Sequence, residues 1–323
     1  MAEPLAYISG DWLPHDEARI SIFDSAVMLG DCVTESTRTF AQAPFRLEAH
    51  IARLYDSMKV CRYELPMTPD EMLALSLEVI ERNLPAYAPD QDIWLVHNIS
   101  RGGYPMSGDQ SAKRVPTVML HTAPMDLTYW VEFYLYGCHA VTPPSRMMPA
   151  QALDAKIKNR SRMAYTLAEL ETKLVDPQAQ GILLDIDGYL AENKGGNFFL
   201  VQDGVLRTPR TVQALAGITR QATLEIAGAL GIPTEVCDLQ PYDAYTADEA
   251  LFTSTPYCLM PATRFNGLPV GEGTVGETTV ALLDGWAQLT GVNVVEQALG
   301  QLEAQQRAEL IGRAPNWYAA RQG

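Results

Sequence analysis

The chain has 323 residues, of which 47% are hydrophobic, and carries a net charge of −15 at pH 7. A chain of that length buries a large core and suggests about two domains, while its acidity argues against nucleic acid, whose phosphates need basic stripes. Five scattered cysteines with no C-x-x-C pair, no leader-like start and no apolar run near the ~18 residues of a membrane span lead us to expect a cytoplasmic protein with reduced thiols, without a disulfide framework, zinc site or signal peptide.

From the N terminus the chain reads first as strands. Leu5 to Trp12 and Arg19 to Phe23 are short apolar runs separated by Pro14, His15 and Asp16. Cys32 to Phe40, rich in Thr, Ser and Val, predicts a strand with Thr34, Ser36 and Arg38 on one face. Ala49 to Arg62 predicts an amphipathic helix, with Ile51, Leu54, Tyr55 and Met58 on its apolar side. A second helix is expected from about Asp70 to Asn83, after Thr68-Pro69 and before Pro85. Ile93 to Ser100 and Thr117 to Thr122 read as buried strands around a Gly/Ser-rich loop, Gly102 to Ser111. Further on, Ser161 to Val175 is expected to be helical, with Met163, Leu167, Leu170 and Leu174 along one side. Gly181 to Asp185, Tyr189 to Ala191, Asn197 to Val201 and Ala250 to Ser254 predict strands, Asp187-Gly188 and Asp203-Gly204 hairpin turns, and Thr219 to Leu230 and Glu303 to Ile311 helices.

Three segments between Asp154 and Arg220 carry the chemistry. The chain has six lysines and none after Lys194, so an amine placed for imine chemistry has few candidates. Lys156 and Lys158 share one face if their segment is a strand, and periodicity does not separate them. A lysine can hold an aldehyde as an imine and act as a general base once its pKa is lowered. The plainer alternative is a pair of solvated lysines, the rule for that residue type. Glu192 follows Gly188-Tyr189-Leu190-Ala191 and precedes Asn193-Lys194-Gly195-Gly196-Asn197; alone, it would be an exposed carboxylate after a hairpin. Gly217-Ile218-Thr219-Arg220 opens a helix whose backbone N–H groups and dipole converge on an anion, unless Thr219 is simply a cap. Lysine, carboxylate and helix start suit a carbonyl, a heterocyclic nitrogen and a phosphate. Pyridoxal 5'-phosphate is the common cofactor that presents all three.

In order and wording these segments resemble the class IV (fold type IV) aminotransferases. That family includes branched-chain and D-amino-acid aminotransferases, (R)-selective amine transaminases and aminodeoxychorismate lyase. The resemblance runs from about Asp11 to Gly276. It implies a mixed α/β fold with a smaller N-terminal domain (1–123), a linker (124–130) and a larger C-terminal cofactor-binding domain (131–323). It also implies that Lys158, in Ile157-Lys158-Asn159 before Arg162-Met163, is the imine lysine in preference to Lys156. Glu192 would then pair with the pyridine nitrogen, and Ile218, Thr219 and Thr255 would bind the phosphate. Arg53, in His50-Ile51-Ala52-Arg53-Leu54, would bind the same phosphate, although chemistry alone reads it as a solvated helical arginine. The chain departs from the family in having Asn193-Lys194 where a small pair is usual.

Substrate is less clearly marked. The R-x-H clamp of D-amino-acid enzymes is missing from Arg101-Gly102-Gly103-Tyr104-Pro105-Met106. Thr34 stands in Gly30-Asp31-Cys32-Val33-Thr34-Glu35 where tyrosine or phenylalanine is common. Arg38 matches an arginine of branched-chain-type members and is the first candidate for a substrate carboxylate, with Arg101 second and Thr34 a further substrate-binding candidate. The resemblance implies an aminotransferase that moves an amino group between an amino acid or (R)-amine and a 2-oxo acid by ping-pong chemistry. The alternative is a lyase of the aminodeoxychorismate type. A homodimer or higher homo-oligomer is implied, without nucleic-acid or membrane partners. None of the five histidines has metal-ligand spacing, so no metal is expected, and no G-x-S-x-G, Walker or G-x-G-x-x-G motif is present.

Overall fold

Ser9 and Gly10 turn the chain back with φ of 48° and 111°. The apolar run that starts at Leu5 is therefore a hairpin of two strands, β1 (Leu5–Ile8) and β2 (Asp11–Pro14). The structure, a computed structural model, describes residues 2–106 and 114–321. The 107–111 part of the expected Gly102–Ser111 loop, and Lys113, lie outside the described residues. Arg19 to Phe23 does not form the expected strand. Ile22 and Phe23 are exposed, and Asp24 ends the run by capping α1 (Ser25–Leu29), its carboxylate accepting from the Ala26 N–H at 2.8 Å.

The other expected elements of this half are present as β3 (Cys32–Phe40), α2 (Leu47–Val60), α3 (Pro69–Asn83), β5 (Ile93–Ser100) and β6 (Thr117–Pro124), and a short β4 (Ala43–Pro44) that was not expected follows β3. Thr68 and Glu71 complete a capping box at the start of α3, with Pro69 as its first residue. The strands form one antiparallel sheet in the order β2-β1-β6-β5-β3-β4. Ile51, Leu54 and Met58 of α2 join Met72, Val79 and Ile80 of α3 and Val33, Leu95, Ile99 and Leu120 of the sheet in one buried cluster.

Contacts divide the chain into two units, Met1–Met125 with Ile157–Arg162, and Asp126–Lys156 with Met163–Gly323. The strip Ile157–Arg162 thus departs from the linear boundary read from the sequence, which placed it in the C-terminal domain. The cause is backbone pairing. β4 covers only the far end of β3, and along the rest of that edge Asn159 bridges Val33.

The second unit contains α4 (Val131–Tyr136), β7 (Cys138–Val141), α5 (Met163–Val175), β8 (Gln180–Gly181), β9 (Asn197–Gln202) and β10 (Val205–Pro209). They are followed by α6 (Ile218–Ala229), β11 (Thr234–Cys237), α7 (Pro241–Thr246), β12 (Glu249–Ser254), β13 (Cys258–Phe265) and β14 (Leu268–Pro269). The C-terminal segment holds α8 (Glu277–Thr290), α9 (Val294–Gly300), α10 (Ala304–Gly312) and α11 (Asn316–Ala319). The mixed sheet runs β11-β10-β9-β12-β13-β7-β8, with β14 beside β13. Its centre is buried on both faces: Phe198, Phe199, Leu251, Phe252, Leu259 and Met260 are inaccessible to solvent. The expected strands Gly181–Asp185 and Tyr189–Ala191 shrink to the two residues of β8 and a bridge between Leu184 and Leu190. Asp185 accepts from the N–H groups of Asp187 and Tyr189, which makes a tight turn and leaves its arms too short to pair further.

Helix α5 has the expected apolar stripe, but the stripe faces solvent. Met163, Leu167, Leu170 and Leu174 are 75%, 51%, 61% and 88% exposed, whereas Ala168 and Thr172 on the opposite side are buried.

Candidate active site

Lys158 belongs to the strip along the edge of β3, which is a bridge of backbone bonds rather than the regular strand expected. Its carbonyl accepts from the Thr34 N–H at 2.9 Å, and its own N–H donates to Ser57 Oγ of α2 at 3.3 Å. Two residues on, the Arg160 N–H donates to the Cys32 carbonyl at 2.9 Å and Arg160 Nε to Asn98 Oδ1 at 2.6 Å. The backbone that carries Lys158 is therefore fastened to β3 and α2. The other described lysines are placed differently. Lys156 is exposed and its Nζ lies 3.0 Å from Asp154, Lys194 pairs with Glu169 at 2.6 Å on the surface, Lys173 donates to the Ala179 carbonyl, and Lys59 is exposed.

Beside Lys158 stands a charged cluster in which the sequence reading singled out Arg53 but not Glu35. Glu35 lies on the face of β3 that it shares with Val33, turned toward α2. Its carboxylate accepts from Arg53 Nε at 2.8 Å, Arg53 Nη2 at 2.7 Å, His50 Nδ1 at 3.0 Å and the Ser36 N–H at 2.9 Å. Burial alone would raise the Glu35 carboxyl, but Arg53 and His50 outweigh it and hold the group well below the usual carboxylate range. His50 is pushed down, chiefly by burial. Glu35 opposes that shift, and the charges of Arg53 and Lys158 add to it. The imidazole is thus neutral, with its proton on Nδ1 toward Glu35. Arg53, expected to be either a solvated arginine or a phosphate ligand, is mostly buried and forked on this carboxylate. A glutamate on the apolar face of a strand and a His-x-x-Arg pair on one helix face were the signals available.

In the second unit Glu192 is buried rather than exposed after its hairpin. Its Oε1 accepts from the Tyr165 hydroxyl at 2.6 Å and its Oε2 from the Leu215 N–H at 2.7 Å. Tyr165, on α5, was not singled out by sequence. The unusual Asn193-Lys194 pair fits a tight loop. Asn193 Oδ1 accepts from the Gly195 N–H, the Asn193 N–H donates to the Gly196 carbonyl, and Lys194 turns outward. The start of α6 is capped by Gly217 and not by Thr219, so no side-chain cap engages the first-turn N–H groups of Ile218 and Thr219. A Cβ at Gly217 would fall 2.0 Å from Asn197 Oδ1, and one at Gly196 would fall 2.3 Å from the Thr253 carbonyl, so only glycine fits at either place. Thr253, opposite Asn197 in the sheet, has a buried hydroxyl with no partner, and Thr255 is half-buried in the turn that follows. A buried carboxylate, an anion-ready helix start and an orphaned hydroxyl make a donor set suited to a nitrogen heterocycle with a phosphate.

The three expected substrate residues each have partners within the first unit. Arg38 is buried and pairs with Asp92. Arg101 donates to Asp31 at 2.8 Å and to the carbonyls of Cys61 and Arg62, with its guanidinium 4.4 Å above the Tyr63 ring. The Thr34 hydroxyl donates its one proton to the His97 carbonyl at 2.8 Å, so it has none for a carboxylate.

The family model described as amino-transferase class IV matches residues 32–265. The chain belongs to the class IV aminotransferases and is an aminotransferase with their mixed α/β fold. Among its relatives, the branched-chain-amino-acid aminotransferase of Escherichia coli (strain K12) is 29% identical over 279 residues, covering 84% of this chain and 88% of that protein. The T.th. branched-chain amino acid aminotransferase, solved with pyridoxamine 5'-phosphate, superimposes with a TM-score of 0.80 at 28% identity over 94% of this chain and 99% of that one. The same enzyme complexed with N-(5'-phosphopyridoxyl)-L-glutamate gives a TM-score of 0.80 at 27% identity, over 93% and 98% of the two chains.

Proposed function

We propose that this aminotransferase exchanges an amino group between a branched-chain amino acid and a 2-oxo acid, using Lys158 as its reactive amine. Its cofactor is pyridoxal 5'-phosphate, as the cofactor-bound relatives and the donor set both support. The observation that carries the reading is Lys158 itself, whose backbone is tied to β3 and α2 beside a neutral His50 while Lys156 pairs at the surface.

When bound, pyridoxal 5'-phosphate supplies an aldehyde that takes up the amino group and a ring that accepts the electron pair left at the substrate Cα. Lys158 Nζ removes the proton from Cα and returns one in the second half of the exchange. The Glu192 carboxylate holds a proton at the ring nitrogen, and Tyr165 with the Leu215 N–H keeps that carboxylate oriented. The N–H groups of Ile218 and Thr219, the Thr255 hydroxyl and Arg53 would hold the phosphate. The branched-chain donor is taken from the names of the relatives.

The chain acts as a homodimer. The exposed stripe of Met163, Leu167, Leu170 and Leu174 supplies an apolar face for a second copy. Five cysteines free of disulfides suit a cytoplasmic compartment. The test is incubation of the purified protein with pyridoxal 5'-phosphate, L-leucine and 2-oxoglutarate. Stoichiometric glutamate and the 2-oxo acid of leucine are expected. No amino transfer from leucine, isoleucine or valine would overturn the donor assignment, and elimination without consumption of the 2-oxo acid would point to the lyase.

A further inference from the structure

We infer that Glu35 is the positioning residue for the phosphate-binding arginine: its buried carboxylate fixes the plane of the Arg53 guanidinium through Nε and Nη2, with His50 and the Ser36 N–H holding the carboxylate in turn. The inference rests on the proposed role of Arg53.

The geometry is that of a fork. Both Glu35 oxygens are engaged by Arg53, at 2.8 and 2.7 Å. An arginine side chain has many rotamers, but two parallel bonds to one carboxylate leave its rigid, planar donor set a single orientation. The carboxylate is itself immobile, because the Ser36 N–H and His50 Nδ1 approach it from its own strand and from α2. Accessibility rises outward across the cluster, from 0% for the Glu35 side chain and 2% for His50 to 13% for Arg53. Arg53 is therefore the member of the cluster that meets the outside. An ion pair serving stability alone gains little over apolar side chains of the same size. One that orients a cation beside the strip carrying Lys158 has a reason to persist. His50 suits this task in its neutral form, since a charged imidazole would compete with Arg53 for Glu35 and add positive charge near the lysine.

The test compares two forms of the cofactor. The enzyme is freed of cofactor and titrated with pyridoxal 5'-phosphate and with pyridoxal, and bound cofactor is read from its visible absorbance. The ratio of the two affinities reports the phosphate contact alone, because a general structural defect weakens both. Glu35→Gln, which keeps shape but removes charge, is expected to cut the ratio by roughly tenfold. Arg53→Ala is the reference. If it collapses the ratio while Glu35→Gln leaves it at the wild-type value, Glu35 does not position Arg53. If Arg53→Ala leaves the ratio unchanged, the proposed role of Arg53 fails and the inference falls with it. Should Glu35→Gln not fold, Glu35→Asp withdraws the carboxylate by one methylene with its charge intact. A lower ratio there supports the inference, and an unchanged ratio overturns it.

Discussion

The guanidinium of Arg38 and the carboxylate of Asp92 stand 3.6 Å apart with side chains 1% and 2% exposed. Arg38 also donates through Nε to the Thr39 carbonyl and lies 4.0 Å above the Phe40 ring, while Asp92 accepts from the Thr39 hydroxyl and the Gln42 N–H. The pair ties the end of β3 to the start of β5. It fastens that end of the sheet, at an arginine for which family resemblance implies a substrate role.

Arg38→Ala should accordingly lower stability, because it leaves the Asp92 charge buried without its partner. The expected loss is about 3–5 kcal/mol in urea unfolding. The folded fraction should keep the Michaelis constant of the wild type for the 2-oxo acid. A variant with wild-type stability and a raised Michaelis constant would restore Arg38 as a substrate ligand.

Glu192 and Tyr165 make a second prediction. Glu192→Gln removes the charge proposed to hold a proton on the ring nitrogen, so turnover should fall by roughly 10- to 100-fold, the equivalent of one charge-assisted hydrogen bond. Tyr165→Phe removes one of the two donors that orient this carboxylate and should cost less. Steady-state rates at saturating substrates decide the order. Equal losses would mean that Tyr165 does more than orient Glu192.

The exposed stripe of α5 is expected to lie within the dimer contact. Leu170→Glu together with Leu174→Glu should shift the sedimenting species toward monomer at micromolar concentration. The helix itself should survive, since both side chains point to solvent and glutamate is a good helix former. A double variant that sediments as the wild type would place the contact elsewhere.

Acid should weaken the N-terminal unit through His97. This buried imidazole meets the Ser76 hydroxyl at 2.7 Å, and that hydroxyl donates to the Met72 carbonyl, so His97 Nε2 carries the proton. Its Nδ1 is buried without a partner, and burial lowers its pKa from 6.5 to about 4. The unfolded chain therefore binds a proton that the fold refuses. The His97 contribution is complete above pH 6.5 and is lost as pH falls toward 4. Over that window the loss is about 3 kcal/mol, near 1.4 kcal/mol per pH unit. Glu35 acts lower still, since its depressed carboxyl stabilises the fold above the ordinary carboxylate range and loses that effect only as pH drops through its folded value. Denaturant melts of wild type and His97→Asn between pH 7.5 and 4.5 read the difference. Parallel curves would show that His97 is not the sensor.

Much of the fold was legible because its signals are local. α2, α3 and β5 follow from periodicity and caps, and Gly217 through Arg220 announce a helix start by their wording alone. The short pairings near Leu184 were not legible, since apolar composition cannot tell a strand from an arm cut short by a tight turn at Asp185. The stripe of α5 showed which side is apolar but not that the chain leaves that side uncovered. Lys158, Glu192 and the α6 start were singled out as candidates because each sits in a contiguous motif. Glu35 and Tyr165 were not, because their partners are distant in sequence and appear only after folding. The pairing of Arg38 with Asp92 was not legible for the same reason, since Asp92 lies far along the chain, just before β5.

The central claim is that Lys158, and neither Lys156 nor Lys194, carries the cofactor. Borohydride reduction of the holoenzyme followed by peptide mapping tests it directly, because reduction fixes the pyridoxyl mass on the lysine that holds it. The account predicts that mass on the peptide containing Lys158, with loss of the visible band and nearly all turnover in Lys158→Ala and little change in Lys156→Ala. The pyridoxyl mass on Lys156 or Lys194, or an unaltered band in Lys158→Ala, would contradict it.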